Sequence, residues 1–277
     1  MRIILFLMLS LIPFSGQAET VKFSDGRYYR IDLSDDPSMA RVILGLHGGG
    51  GNPDQFARSS GLSNAALRLG YTVIYPAGTG RIPTWNVGYC CGQAQRNQVD
   101  DIAFIDRVIA DAGVRFDLDV RRVYLTGMSN GSMMSERYAA YRPLQVAAVV
   151  GVAGTMDIAS DRLRGPVPLL TIHGTADQNV PYNGGSGPRT RGTSIFSAVE
   201  DVVHAFVAAS ARSLQRRAVR SGVVTRTDYS TQRGVPWVSL IKIEGGGHVW
   251  PGGRRTFREP RSIDATQEAL RFFAQHP

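Results

Sequence analysis

Apolar positions along the chain alternate between short continuous runs and stretches at helical spacing. Residues 41–46 (RVILGL) form an apolar run that reads as a buried strand. Residues 53–69 then place Phe56, Leu62, Ala66 and Leu69 at helical intervals, with Asn52 as a candidate cap and Gly70 as a stop. A strand is predicted over 71–75, followed by a long loop over 76–98, rich in glycine and aromatics. Ile102, Ile105, Val108 and Ile109 share one face of a helix over 101–112. The alternation continues with a strand over 122–126, a helix over 132–141, and strands over 147–152 and 167–173. A loop over 181–193, a helix over 199–210, strands over 223–229 and 237–243, and an amphipathic helix over 264–275 complete it. Upstream, 21–23 and 28–32 flank the turn Ser24-Asp25-Gly26-Arg27 as a hairpin. Strands alternating with helices predict an α/β fold, a mostly parallel central sheet with helices on both faces. No repeat or linker divides 19–277, which is expected to be one domain. The connection from 152 to 167 is short, so no separate lid domain is expected.

The first 18 residues break this pattern. Arg2, the apolar run 3–12 and Gly16-Gln17-Ala18 read as a secretory signal peptide, with the mature chain starting near Glu19. The apolar run is too short to span a bilayer. A secreted protein, extracellular or periplasmic, is expected, with no membrane partner once the leader is removed. The formal charge of +8 is almost all arginine. Arg212, Arg216, Arg217 and Arg220 are the densest cluster, expected near the end of the 199–210 helix. A basic face could attract acidic polysaccharide or nucleic acid. With no interleaved aromatics, a solvated surface is the preferred reading and no nucleic-acid partner is expected.

Chemistry concentrates at Gly127-Met128-Ser129-Asn130-Gly131, between a predicted strand and a predicted helix. Gly-x-Ser-x-Gly in that setting is the pattern of a nucleophile elbow, with the serine hydroxyl raised above the sheet. Ser129 then needs a base and an orienting acid on later strand ends. Asp177 follows the 167–173 strand, and His248 follows the last one through Glu244-Gly245-Gly246-Gly247. This is the order Ser, Asp, His expected of such an elbow. His47 and His173 also lie at strand ends and are read as loop braces, with His204 on a helix and His276 at a frayed terminus. Asp157 is the rival acid, while Asp100 and Asp101 suit a helix start. The N–H groups of Asn130 and of Gly49, or else Gly48, are candidate oxyanion donors. Trp85, Tyr89 and Trp250 are candidate substrate-stacking residues, with loop packing as the alternative. The adjacent Cys90 and Cys91 are the only cysteines. In an oxidising compartment a vicinal disulfide is favoured over two buried thiols.

Six ordered blocks carry a resemblance. They are His47-Gly48-Gly49, Trp85-Asn86-x-Gly88-x-Cys90-Cys91-Gly92, Val99-Asp100-Asp101, Gly127-Met128-Ser129-Asn130-Gly131, His173-Gly174-x-x-Asp177-x-x-Val180-Pro181-Tyr182 and Gly245-Gly246-Gly247-His248-x-Trp250-Pro251-Gly252. Together they resemble the esterase/polyhydroxybutyrate depolymerase family, which includes secreted feruloyl esterases. The resemblance implies an α/β-hydrolase fold with a Ser129–Asp177–His248 triad. Ser132 departs from it, since family members often have glycine there, and a side chain could crowd the elbow helix. The expected function is a secreted serine carboxylic-ester hydrolase acting through an acyl-enzyme, without metal or organic cofactor. Expected substrates are feruloyl or acetyl esters of plant polysaccharide, or short hydroxybutyrate esters. The absence of a linker and adsorption domain tilts this toward soluble substrates. A peptidase of the same fold and a non-catalytic polysaccharide- or polyester-binding protein are the alternatives.

Overall fold

The computed structural model describes residues 18–190, 192–254 and 263–277. Its elements in chain order are β1 (Ala18–Lys22), β2 (Tyr28–Asp32), β3 (Arg41–Leu46), α1 (Pro53–Ser60), α2 (Leu62–Leu67), β4 (Tyr71–Pro76), α3 (Gly92–Arg96), α4 (Asp101–Phe116) and β5 (Val123–Met128). There follow α5 (Asn130–Tyr141), β6 (Val146–Val152), β7 (Leu169–Gly174), α6 (Val199–Ala209), β8 (Gln215–Ser221), β9 (Val224–Ser230), β10 (Pro236–Ile243) and α7 (Ala265–Ala274). The ten strands form one sheet in the order β1-β2-β4-β3-β5-β6-β7-β10-β9-β8. From β4 to β10 all neighbours are parallel, and an antiparallel ribbon extends each side. The expected α/β architecture is therefore present.

The two-residue period of a strand explains the two cores. On β3, Val42, Leu44 and Leu46 face one apolar cluster with Phe104, Val108 and Met133, so α4 and α5 cover that side. Ile43 faces the other with Phe56, Tyr75 and Phe272, so α1 and α7 cover the opposite side. Strands buried on both faces read as the continuous apolar runs seen in the sequence. Because β3 lies between β4 and β5, the chain reverses its direction of travel across the sheet there. Such a switch point opens a crevice at the carboxyl ends of the strands. Leu46 pairs with Gly127, which sets the end of β3 beside the end of β5.

Four expectations need correction. The helix over 53–69 is two helices, because Gly61 ends α1 in the left-handed region at φ 68° with its N–H on Ala57 O. The 76–98 loop contains the short helix α3. The arginines 216, 217 and 220 do not end a helix: α6 stops at Ala209, Ala211 has φ 51°, and the chain returns as β8 paired antiparallel with β9. Every residue of β8 is exposed, so no apolar alternation marks it as a strand. His276 is not frayed, since Tyr124 Oη donates to its carbonyl at 2.9 Å and its buried ring meets Phe272. Of the expected leader, residues 1–17 lie outside the described residues, and Ala18 opens β1 opposite Asp32. No described helix is long and apolar enough to cross a membrane.

Candidate active site

The strand-to-helix turn at Ser129 depends on what its neighbours lack. Ser129 sits at φ 56°, ψ −125°, a region costly for a residue with a side chain. Its N–H donates to Val152 O at 2.8 Å, and its carbonyl accepts the first helical bond of α5, from Met133 N at 3.0 Å. Glycine lets the backbones close around it. A Cβ on Gly131 would stand 2.6 Å from His47 O, and one on Gly127 would stand 2.9 Å from Leu46 O. Ser132 does not crowd the helix, because it faces two further glycines. An added Cβ at Gly154 would lie 2.6 Å from Ser132 Cβ. Ser132 Oγ donates instead to the fully buried Glu136, at 3.2 Å.

Asp177 and His248 stand on two loops stitched together at the ends of β7 and β10. Thr175 N donates to Ile243 O at 2.9 Å, Ala176 N to Gly246 O at 2.9 Å, and Gly245 N to Thr175 Oγ1 at 2.9 Å. Gly174 leaves room for this approach, since its added Cβ would come 2.9 Å from Gly246 Cα. His248 Nδ1 lies 2.7 Å from Asp177 Oδ2, and His248 Nε2 lies 2.9 Å from Ser129 Oγ. Asp177 Oδ1 accepts the N–H groups of Asn179 (2.8 Å) and Val180 (2.9 Å). Burial opposes ionisation of Asp177, but hydrogen bonds from His173, His248 and Val180 N–H prevail and hold its carboxyl below the usual range. An ionised Asp177 accepts Nδ1–H, which leaves Nε2 free to accept the serine proton. Asp157 is engaged elsewhere, with its carboxylate accepting Ala159 N at 3.0 Å.

The loop after β3 closes the other side. Gly48 lies against the elbow, its added Cβ 3.5 Å from Ser129 Cβ, and that of Gly49 would lie 4.0 Å from Asn130 Cβ. Gly50 and Gly51 spend their N–H groups on Pro83 O and Gly48 O. Asn130 begins α5, so its N–H has no partner one turn earlier in the helix. His47 braces this loop as expected. Gly78 N donates to its Nε2 at 2.9 Å, which puts the proton on Nδ1, 2.8 Å from Gly48 O. Burial lowers the His47 pKa to about 4, keeping the ring neutral.

Two expected stacking residues are corrected. Trp85 is fully buried, its indole N–H on His47 O at 2.9 Å, while Asn130 grips the Trp85 backbone through N–H to Oδ1 (2.7 Å) and Nδ2–H to O (3.1 Å). Trp250 is buried with its N–H on Thr266 Oγ1 at 3.0 Å. A buried indole whose N–H is satisfied holds loops together and presents no face to a substrate. Tyr89 is half-buried, its hydroxyl on Thr155 O at 2.8 Å and its ring against Phe196.

The cleft itself has a volume of about 540 Å³, with Ser129 and His248 on its surface. Its walls come from residues 81–96, from residues 179–196 and from Met133 of α5, mostly through residues that patterning does not single out. Ile82, Met133 and Phe196 are apolar, and Arg81, Arg96 and Arg189 are cationic. Cys90 and Cys91 line it too, their sulfurs against each other. Loop residues follow no period, so only proximity in the fold reveals them. Among the described residues, no three His, Cys, Asp or Glu side chains cluster as a metal ligand set.

Residues 29–161 match the family described as Esterase PHB depolymerase. The chain is 30% identical over 275 residues to "Putative esterase NocK" of Nocardia uniformis subsp. tsuyamanensis, covering 91% of this chain and 78% of that protein. It is 28% identical to Feruloyl esterase B of Piromyces equi over 78% of this chain, but spans only 40% of that longer protein. Among solved structures, the acetyl xylan esterase from Aspergillus awamori superposes with a TM-score of 0.62 at 15% identity, over 94% of this chain and all of that one. An S-formylglutathione hydrolase from Agrobacterium tumefaciens reaches 0.61 at 12% identity, over 95% of this chain and 97% of that one. At such identities the structures speak for the fold alone.

Proposed function

The chain belongs to the esterase PHB depolymerase family of α/β-hydrolases, and on that premise we propose that it is a secreted serine carboxylic-ester hydrolase. The observation that carries this reading is the continuous chain of contacts from Ser129 Oγ through His248 to Asp177, at 2.9 and 2.7 Å, on the cleft surface.

In the first half-reaction Ser129 Oγ attacks the ester carbonyl carbon as His248 Nε2 takes its proton. The carbonyl π pair moves onto oxygen, where the N–H of Asn130 and that of Gly49 (or Gly48) receive it. Collapse of this tetrahedral species breaks the C–O bond to the alcohol, which leaves with the proton from His248. Asp177 holds the imidazole in the required tautomer and stabilises its cation without itself accepting the proton. Water then repeats the sequence on the acyl-enzyme and returns Ser129 with the free acid. The Trp85–Asn130–His47 bracing keeps the donor loop against the elbow while charge develops there.

The substrates in this reading are feruloyl or acetyl esters on polysaccharide, as the names of the relatives suggest, or short hydroxybutyrate esters. Residues 19–277 act as one catalytic domain after loss of the leader, and Cys90–Cys91 is an oxidised pair in the cleft wall. Hydrolysis of p-nitrophenyl acetate by wild type and Ser129→Ala tests the mechanism. Loss of the hydroxyl should lower turnover by about 10³-fold or more. An unchanged rate would refute a serine acyl-enzyme. Product analysis on feruloylated arabinoxylan beside hydroxybutyrate trimer then ranks the substrates.

A further inference from the structure

The cleft carries a charge pattern that ester hydrolysis itself does not require. Arg81, Arg96 and Arg189 all line it, and among the described residues no aspartate or glutamate shares that lining. Nine other described arginines are paired with an acid, as in Arg27–Asp101 at 2.7 Å, Arg142–Asp106 at 2.8 Å and Arg226–Glu268 at 2.7 Å. Among the described residues none of the three cleft guanidiniums has such a partner. Their backbones are nevertheless tied down. Arg81 N donates to Gln93 Oε1 at 3.2 Å, Arg189 N donates to Gln178 O at 2.9 Å, and Arg96 stands in the last turn of α3. Arg81 and Arg96 come from the 76–98 segment and Arg189 from the segment after β7, so all three residues border one opening. The same cleft also has an apolar part, with Ile82, Met133 and Phe196.

Resting on the esterase reading and deepening it, we infer that the preferred substrate is an anionic ester. Its scissile carbonyl seats at Ser129, an apolar segment lies along Ile82, Met133 and Phe196, and a distal carboxylate meets the arginines. Guanidinium is suited to this role, since its fixed fork of donors matches a carboxylate and it stays charged at any working pH. A low-dielectric cleft lined with one sign of charge also concentrates the oppositely charged ligand before it docks. Two sources supply this chemistry: the free terminal carboxylate of a hydroxyalkanoate oligomer, or a uronate near an esterified sugar.

The test compares kcat/KM within two matched pairs at low ionic strength. One pair is hydroxybutyrate trimer and its methyl ester, the other an acetylated xylo-oligosaccharide with and without a glucuronate branch. The anionic member of at least one pair should be favoured about tenfold, since each exposed guanidinium contributes roughly 1.5- to 5-fold. Which pair responds identifies the source. Arg81→Gln, Arg96→Gln and Arg189→Gln should each lower the ratio, and about 0.5 M salt should collapse it in wild type without any substitution. Arg216→Gln, on the exposed edge strand β8, should leave the ratio unchanged, separating the cleft from the overall positive charge. Equal rates in both pairs, or a preference that survives all three cleft substitutions and salt, would overturn the inference. Hydrolysis of p-nitrophenyl acetate that depends on Ser129 keeps the esterase reading intact in that event. Its absence removes both.

Discussion

Two carboxyls are buried close to the Ser129 elbow, one reaching it through His248 and one bonded to Ser132, and their surroundings drive them in opposite directions. Asp177, on the loop after β7, accepts two backbone N–H groups and lies against two imidazoles, so it is held ionised. Glu136, on α5, is fully buried, and burial pushes its carboxyl up to about 8, only partly offset by hydrogen bonds from Ser132 and Met156. Both sit within a few residues of the chemistry in space, yet only the first has a route to a reacting atom, through His248. Burial alone therefore does not mark a catalytic acid; the donors aimed at it do.

The comparison breaks most visibly at Asp177. Asp177→Asn should keep the fold and lower kcat by about 10³–10⁴-fold, because an amide cannot enforce the Nδ1–H tautomer of His248. Near-normal turnover in steady-state assays would show that His248 needs no such partner. Glu136→Gln, which replaces a largely neutral acid by a neutral amide, should leave kcat within about twofold at neutral pH. A large kcat loss in a stably folded variant would place Glu136 in the chemistry and erase the contrast.

Stability against pH sharpens the same contrast with smaller effects. The Glu136 carboxyl binds its proton more tightly in the folded state than at its ordinary value of 4.5. Its contribution is therefore fully present below 4.5 and lost as pH rises through about 8. The Tm of Glu136→Gln relative to wild type should climb between pH 4.5 and 8 and level off above. An effect on the order of ten degrees is expected, at roughly 1.4 kcal/mol per pH unit and 2–4 °C per kcal/mol for a chain of this size. A difference independent of pH would mean that Glu136 ionises freely in the fold. His47 acts with the opposite slope. Its pKa is depressed to about 4, so its stabilising contribution is present above 6.5 and lost as pH falls through 4. The smallest effect concerns Trp85. Trp85→Phe removes the N–H bonded to His47 O and should cost about 1–3 kcal/mol of stability with little change in KM. A KM rise specific to aromatic esters would restore the stacking role that its burial argues against.

The contrast also explains what could be read beforehand. The parallel strands were legible because burial on both faces leaves an unbroken apolar run, as at residues 41–46. The positions of Ser129, Asp177 and His248 were legible because each follows such a run and is framed by glycines that allow close backbone approach. β8 was not, since a strand exposed on both faces carries no alternation. The break at Gly61 was hidden within an otherwise continuous helical spacing. For Trp85 and Trp250 the sequence leaves stacking and loop packing both open, because an aromatic in a loop has the same sequence signature whether it braces the loop or faces the cleft. Only the hydrogen bonds of their indole N–H groups distinguish the two. Arg81, Arg96 and Arg189 lie far apart along the chain and converge only through the loops that carry them.

The most direct measurement is to inactivate the protein with a p-nitrophenyl alkylphosphonate and locate the adduct by peptide mass spectrometry. An activated serine oxygen attacks the phosphorus, forms the O–P bond and displaces p-nitrophenolate. One equivalent bound at Ser129, formed in step with loss of esterase activity and abolished in Asp177→Asn and His248→Ala, is the expected result. Inactivation with the adduct on another residue, or full activity with Ser129 modified, would contradict the mechanism.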